Sequence, residues 1–112
     1  MQSTFRQALN TISARPVYSD ARVALYHADC RDILWDIQPS RDTTVISDPP
    51  YGIRWRDPTT NRRVLGDDRP FDPSHLLRFR CVLFGGQHYH TRLPQGGSWQ
   101  IWDKRCPHRG QS

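Results

Sequence analysis

Val45-Ile46-Ser47-Asp48-Pro49-Pro50-Tyr51-Gly52-Ile53 is a short apolar run that ends in a carboxylate, two prolines, an aromatic and a glycine, and its reading decides the fold. Thr43 to Ser47 has the β-branched richness and the length of a buried strand. Strands of that kind in open α/β sheets present ligands at their carboxyl ends, which places Asp48 where chemistry is done. Two successive prolines hold φ near about −65° and remove two backbone donors, so the chain leaves the sheet as a stiff spur with carbonyl oxygens free to accept. A carboxylate, a carbonyl and a ring are thereby held close together.

That trio suits the grip of a flat ring bearing an amino group. The exocyclic nitrogen of adenine or cytosine is a poor nucleophile because its lone pair is delocalised into the ring. An acceptor for each of its two hydrogens draws it toward a tetrahedral, reactive shape. Asp48 and the Pro49 carbonyl are candidates for those acceptors. Tyr51 is a candidate to stack on the base face, a contact worth roughly 1–3 kcal/mol and tolerant of sequence. Gly52 lets the backbone turn away without a side chain meeting the bound ring.

Asp48-Pro49-Pro50-Tyr51 resembles the catalytic motif of the amino-group DNA methyltransferases, which methylate adenine N6 or cytosine N4 using S-adenosyl-L-methionine. Upstream, Leu25-Tyr26-His27-Ala28-Asp29-Cys30 followed by Ile33 and Leu34 is similar to that family's strand, acidic turn and helix. Downstream, Val82-Leu83-Phe84-Gly85-Gly86-Gln87-His88 and Trp99-Gln100-Ile101-Trp102-Asp103-Lys104 resemble the glycine-glycine turn and the Trp-Asp-Lys strand of phage and restriction-type members. The likeness covers about residues 23 to 105 in the expected order. It implies an α/β fold, a partial Rossmann-like and mostly parallel methyltransferase sheet, and DNA as partner. It also implies that Asp48, Pro49, Pro50 and Tyr51 are catalytic, and that Asp29 and Asp48 lie toward the methyl donor.

Working outward, residues 1–22 read as an N-terminal extension with no clean period, apart from Phe5, Leu9 and Ile12 at helical spacing over Thr4 to Ile12. Val23 to His27 is expected as the first strand and Asp29 to Ile37 as a helix with Ile33, Leu34 and Ile37 on one face. Together with the strand at 43–47 this makes a right-handed parallel β-α-β unit. Asp29 serves equally well as the cap of that helix. Residues 23–105 are expected as a partial catalytic domain, and 106–112 as a tail without a closing strand or helix.

Residues 54–73 are rich in charge and proline and read as a long loop of the sort that is usually functional or disordered. Arg54, Trp55, Arg56, Arg62, Arg63 and Arg69 form a basic stretch with an aromatic beside the catalytic tip. They are expected to grip DNA backbone as a flap closing over an extruded base, the alternative being a solvated loop. Asp72-Pro73-Ser74 is expected to open a short helix through Phe79 with Leu76 and Leu77 inward. Arg80 to Phe84 reads as a second buried strand, Gln87 to Leu93 as a helical turn, and Ser98 to Trp102 as a third parallel strand.

With 112 residues the chain forms at most one small domain, and an apolar fraction of 36% with a mean hydropathy of −0.77 leaves it a modest core. The formal charge is +5, carried by arginine with Lys104 the only lysine, and guanidinium forks suit phosphate oxygens. There is neither a membrane-length apolar run nor an apolar secretory core, so a cytoplasmic location is expected. Cys30, Cys81 and Cys106 are read as reduced core thiols rather than a disulfide framework. His88, His90, Cys106 and His108 lack structural-zinc spacing, so no metal is expected, and no elbow of glycines surrounds a serine nucleophile.

Members of the resembled family bind the donor on a glycine-rich turn similar to Phe-x-Gly-x-Gly, and the glycines here, at 52, 66, 85, 86, 96, 97 and 110, make no such run. The expectation is an N-terminal catalytic half, weakly active or inactive alone, whose partner is a C-terminal half carrying that turn. Two alternatives stand beside it. One is a non-catalytic nucleic-acid-binding remnant. The other is an RNA guanine-N2 methyltransferase, which is similar at the tip only and against which the Trp-Asp-Lys stretch argues.

Overall fold

A computed structural model describes residues 4–104. It contains α1 (Thr4–Thr11), β1 (Tyr18–Ser19), β2 (Ala24–Leu25), α2 (Cys30–Leu34), β3 (Thr44–Ser47) and β4 (Arg80–Leu83), followed by two 3₁₀ turns at Gly86–His88 and His90–Arg92. The strands form two separate two-stranded sheets, β1 antiparallel to β2 and β3 parallel to β4.

The β3–β4 pair is the element on which the site is built. Thr44 faces Arg80, Val45 faces Cys81, Ile46 faces Val82 and Ser47 faces Leu83. The Phe84 amide donates to the Ser47 carbonyl at 3.0 Å and carries the ladder one residue further. Both expected strands, Thr43 to Ser47 and Arg80 to Phe84, therefore form, and in the parallel sense. Alternation then sorts the side chains: Val45, Ser47, Cys81 and Leu83 are half-buried, while Ile46 and Val82 are exposed on the opposite face.

A small core packs close to this pair. Leu76 is 2% exposed, Tyr89 3% and Phe79 6%, with Pro73 fully buried beside them. Phe71 meets His75 and Tyr89 edge-on, at ring-centroid distances of 5.9 and 5.0 Å. The helix expected from Ser74 to Phe79 is replaced by tight turns, in which the Leu76 and Leu77 amides both reach the Pro73 carbonyl at 2.8 and 3.1 Å. Leu76 is buried as expected, whereas Leu77 is only half so. Arg78 ties these turns to α2, lying 4.4 Å over the Trp35 ring while its Nη1 donates to the Leu34 carbonyl at 3.1 Å.

Several elements depart from the sequence reading. Val23 to His27 is not a strand of the parallel sheet: only Ala24–Leu25 is extended, and it folds back on Tyr18–Ser19. The cause is Asp20, whose Oδ1 accepts from the Arg22 and Val23 amides at 2.8 Å each and closes a tight turn across residue 22. The β-α-β unit over 23–47 is thus absent, and the parallel crossover runs from β3 to β4. The helix expected over Asp29 to Ile37 is shorter, Cys30–Leu34, and α1 matches its expected span to within a residue.

Ser98 to Trp102 forms no strand, and Trp99, Ile101 and Trp102 are 65, 94 and 76% exposed. Apolar side chains suit a strand, but without a neighbouring ladder the backbone has no reason to take one up. Cys30 is exposed rather than part of the core, Cys81 is half-buried, and Cys106 lies outside the described residues.

The chain is loosely folded for its size. Its radius of gyration is 17.4 Å against roughly 13 Å for a compact domain of this length. Its accessible surface is 9935 Å² against roughly 6,400 Å² for a compact 13.1 kDa protein. No helix among the described residues is long and apolar enough to cross a membrane.

Stability should accordingly rest on very few side chains. Leu76→Ala, which empties the tightest core position, is expected to cost about 2–5 kcal/mol, whereas Ile46→Thr on the open sheet face should stay within about 0.5 kcal/mol. Urea titrations followed by tryptophan emission compare the two, and equal losses would contradict the placement of the core.

Candidate functional site

Because β3 and β4 are parallel, the segments that follow them emerge from the same edge of the sheet. Asp48 leaves β3 exposed, Pro49 is buried and Pro50 half-buried. Gly85 leaves β4 with φ 73°, a left-handed conformation that opens the 3₁₀ turn. The two motifs singled out in the sequence, Asp48-Pro49-Pro50-Tyr51 and Gly85-Gly86, are brought together here.

Tyr51 joins them. Its ring lies against Gly85 so closely that a Cβ at that position would overlap it. It stacks on His88, with centroids 4.9 Å apart and planes at 16°. The Tyr51 hydroxyl donates to Asp48 Oδ1. That bond, followed by burial and the Asp48 charge, pushes the Tyr51 phenol up to about 12. Tyr89, packed behind and donating its hydroxyl to the Phe84 carbonyl, is also pushed up to about 12, chiefly by burial.

Tyr51 thus meets protein on the ring surface that contacts His88, and it occupies one acceptor position on Asp48. A carboxylate has about four lone-pair sites, so Asp48 retains Oδ2 for a further donor. His88 was not singled out as a site residue. Its position three residues after Gly85 carries a signal only once the glycine turn is known to cross the spur.

Asp29 is placed elsewhere. It caps α2 by accepting from the Arg31 amide at 2.9 Å, and its carboxylate pairs with the Arg31 guanidinium at 2.6 and 3.0 Å. The Arg31 side chain first, and then the Arg31 amide, hold its carboxyl well below the usual range. It follows β2, which lies in the other sheet, so the structure does not bring Asp29 and Asp48 to neighbouring strand ends.

The segment 54–73 is a folded loop. Arg56 and Arg63 form an antiparallel bridge, and the Asp57 amide donates to the Arg62 carbonyl at 3.0 Å. The turn between them is closed by Asp57 Oδ1, which accepts from the Thr59 and Thr60 amides at 2.7 and 3.2 Å. Arg54, Arg56, Arg62, Arg63 and Arg69 are all exposed, as is Trp55. Their side-chain ties are slight: Arg56 donates to Asn61 Oδ1 at 3.3 Å, and Arg69 sits 3.8 Å from Asp68. These guanidinium groups remain accessible to phosphate.

Sequence reading passed over the residue that organises this loop. Asp67 is 3% exposed and accepts from the Gly52, Ile53 and Trp55 amides. Its donors lie 12 to 15 positions away, so no local pattern announces it.

No family model matches the chain, and neither a curated protein nor a solved structure shows a significant match to it. No cluster of His, Cys, Asp or Glu among the described residues could hold a metal ion.

The Tyr51–Asp48 bond has a measurable signature. Both Tyr51 and Tyr89 should remain protonated past pH 11 in a 295 nm titration, against an ordinary phenol near about 10. Asp48→Asn should return Tyr51 toward about 10 while leaving Tyr89 high, because burial dominates at Tyr89. Since the folded values are raised, their contribution to stability is present below about pH 10 and is lost as pH rises through about 12.

Proposed function

We propose that this chain is the target-base half of an amino-group DNA methyltransferase, with Asp48 and the Pro49 carbonyl as acceptors for an exocyclic amine. The observation that carries this reading is the parallel pairing of β3 with β4, which sets Asp48-Pro49-Pro50-Tyr51 and Gly85-Gly86 at one sheet edge. Read this way, the pair is part of a Rossmann-like sheet, and the exposed arginines of 54–69 with Trp55 hold the DNA backbone beside it.

Asp48 Oδ2 accepts one amine hydrogen and the Pro49 carbonyl the other, which localises the nitrogen lone pair for attack. Tyr51 supports this arrangement from its seat on His88 and Gly85, either by fixing the Asp48 carboxylate or by swinging off His88 to stack on the base.

S-adenosyl-L-methionine would supply the methyl group. As arranged, the described residues do not form a cradle fitted to it: Asp29 is engaged by Arg31, β2 lies outside the β3–β4 sheet, and the space over Gly85 is filled by the Tyr51 ring. In this reading the donor's binding surface lies on a complementary polypeptide. The same engagement of Asp48 and Asp29 favours, as a second reading, nucleic-acid binding without transfer.

Amine recognition separates the two. Anisotropy titrations with single-stranded oligonucleotides containing adenine, or purine lacking the amino group, should show the wild-type chain preferring adenine by about tenfold, the worth of one good hydrogen-bonded contact. Asp48→Ala should abolish that preference. Arg56→Ala with Arg62→Ala should weaken both ligands alike and flatten the salt dependence. Labelled donor should yield little or no transfer from this chain alone. Equal affinity for the two oligonucleotides would overturn the proposal in favour of non-catalytic binding.

A further inference from the structure

Among the described residues Asp67 is a buried carboxylate, and the proposed chemistry does not use it. It lies in the run Gly66-Asp67-Asp68, between two exposed residues, yet its side chain is turned inward. Oδ1 accepts from the Gly52 amide at 2.7 Å and from the Ile53 amide at 3.0 Å, while Oδ2 accepts from the Trp55 amide at 2.7 Å. Its backbone takes part as well, since the Arg54 amide donates to the Asp67 carbonyl at 3.0 Å. One residue thus receives four consecutive amides of the segment directly after Tyr51.

The conformation held is one the chain does not adopt freely. Gly52 has φ 78° and Arg54 has φ 55°, so two left-handed residues fall within three positions, one of them carrying a side chain. A Cβ at Gly52 would overlap the Arg69 carbonyl oxygen, so this turn is pressed against the far end of the loop. Such a backbone persists only where its surroundings over-determine it, and here Asp67 does so. Burial alone would raise the Asp67 pKa, but the amides from Trp55, Ile53 and Gly52 outweigh it and leave the carboxyl below its ordinary value.

We propose that Asp67 is the positioning residue of the site: by clamping the Gly52–Trp55 turn it sets the direction in which Tyr51 leaves the double-proline spur and holds the Arg54-Trp55-Arg56 limb beside Asp48. The clamp itself stands on geometry, and its consequence for a ligand rests on the nucleic-acid reading above. The two carboxylate oxygens have separate duties, which gives the arrangement a specific signature. An asparagine can keep its carbonyl on Gly52 and Ile53, but its amide nitrogen cannot accept from Trp55.

Amide hydrogen exchange on the full chain, with Asp67→Asn and Asp67→Ala beside wild type, tests this. Wild type should protect the Gly52, Ile53 and Trp55 amides. Asp67→Asn should release Trp55 by about tenfold or more while sparing Gly52 and Ile53, and Asp67→Ala should release all three. The β3–β4 amides report whether each variant is folded. Oligonucleotide affinity measured on the same proteins should fall about fivefold or more in the alanine variant, with the asparagine variant between it and wild type.

Unprotected amides in wild type, or the expected exchange pattern with unchanged affinity in both variants, would overturn the positioning role. Should wild type bind no oligonucleotide, the nucleic-acid reading falls, and the exchange pattern alone then upholds or rejects the clamp.

Discussion

The parallel ladder between Thr44–Ser47 and Arg80–Leu83 is the constraint from which the rest follows. Parallel pairing requires a long return of the chain, and here the return covers residues 48–79, including the double-proline spur, the arginine loop and the turns that supply Leu76 and Phe79 to the core. Had the strands paired antiparallel, Asp48 and Gly85 would stand at opposite ends of the sheet and Tyr51 could not reach both. Burial of this ladder is incomplete. Parallel sheets are normally covered on both faces, whereas here Ile46 and Val82, which face one another across the ladder, are 71 and 51% exposed.

With so little apolar packing, backbone order is maintained largely by aspartates. Asp20 closes the β1–β2 turn, Asp29 caps α2, Asp57 closes the tip of the arginine loop, Asp67 gathers its base, and Asp72 accepts from the Ser74 amide at 3.0 Å. Each such contact is a charge-assisted hydrogen bond to backbone, stronger than a neutral one, and all but those of Asp67, whose donors lie 12 to 15 positions away, span only two or three residues. This distribution also shapes the electrostatics. The Asp57 and Asp67 carboxylates accept from backbone amides, and the ion pair recorded for the exposed guanidinium groups of 54–69 is that of Arg69 with Asp68 at 3.8 Å. Five of the chain's arginines, Arg54, Arg56, Arg62, Arg63 and Arg69, are thereby displayed on the loop that borders the sheet edge.

The candidate site was legible in part. Asp48, its double proline, Tyr51 and Gly85-Gly86 carry residue types whose backbone consequences are local, whereas their meeting at one edge follows from the pairing of β3 with β4. Asp29 had two readings, and the capping geometry, a matter of its own next two residues, is the one the structure displays. His88 and Asp67 were not legible. Stacking of Tyr51 on His88 depends on β4 lying beside β3, and the hold of Asp67 depends on a loop closing over more than ten residues. Neither leaves a periodic trace. The strand expected at 98–102 failed for the related reason that apolar content indicates willingness to pair but not the presence of a partner.

By itself the sequence determined the features that arise within a few residues: the extended runs at 43–47 and 80–84, the cap at Asp29, the rigid spur at Pro49-Pro50, and a basic loop without helical or strand period. These are consequences of steric limits on φ and ψ and of side-chain reach, which hold wherever the residues sit. Only the tertiary structure decided which strands pair and in what sense, that residues 23–27 turn back on 18–19, that Tyr51 rests on Gly85 and His88, and that Asp67 is buried. Those outcomes set distant segments against one another. They depend on the balance between chain entropy and the few contacts that closure creates, a quantity that no single stretch of residues contains.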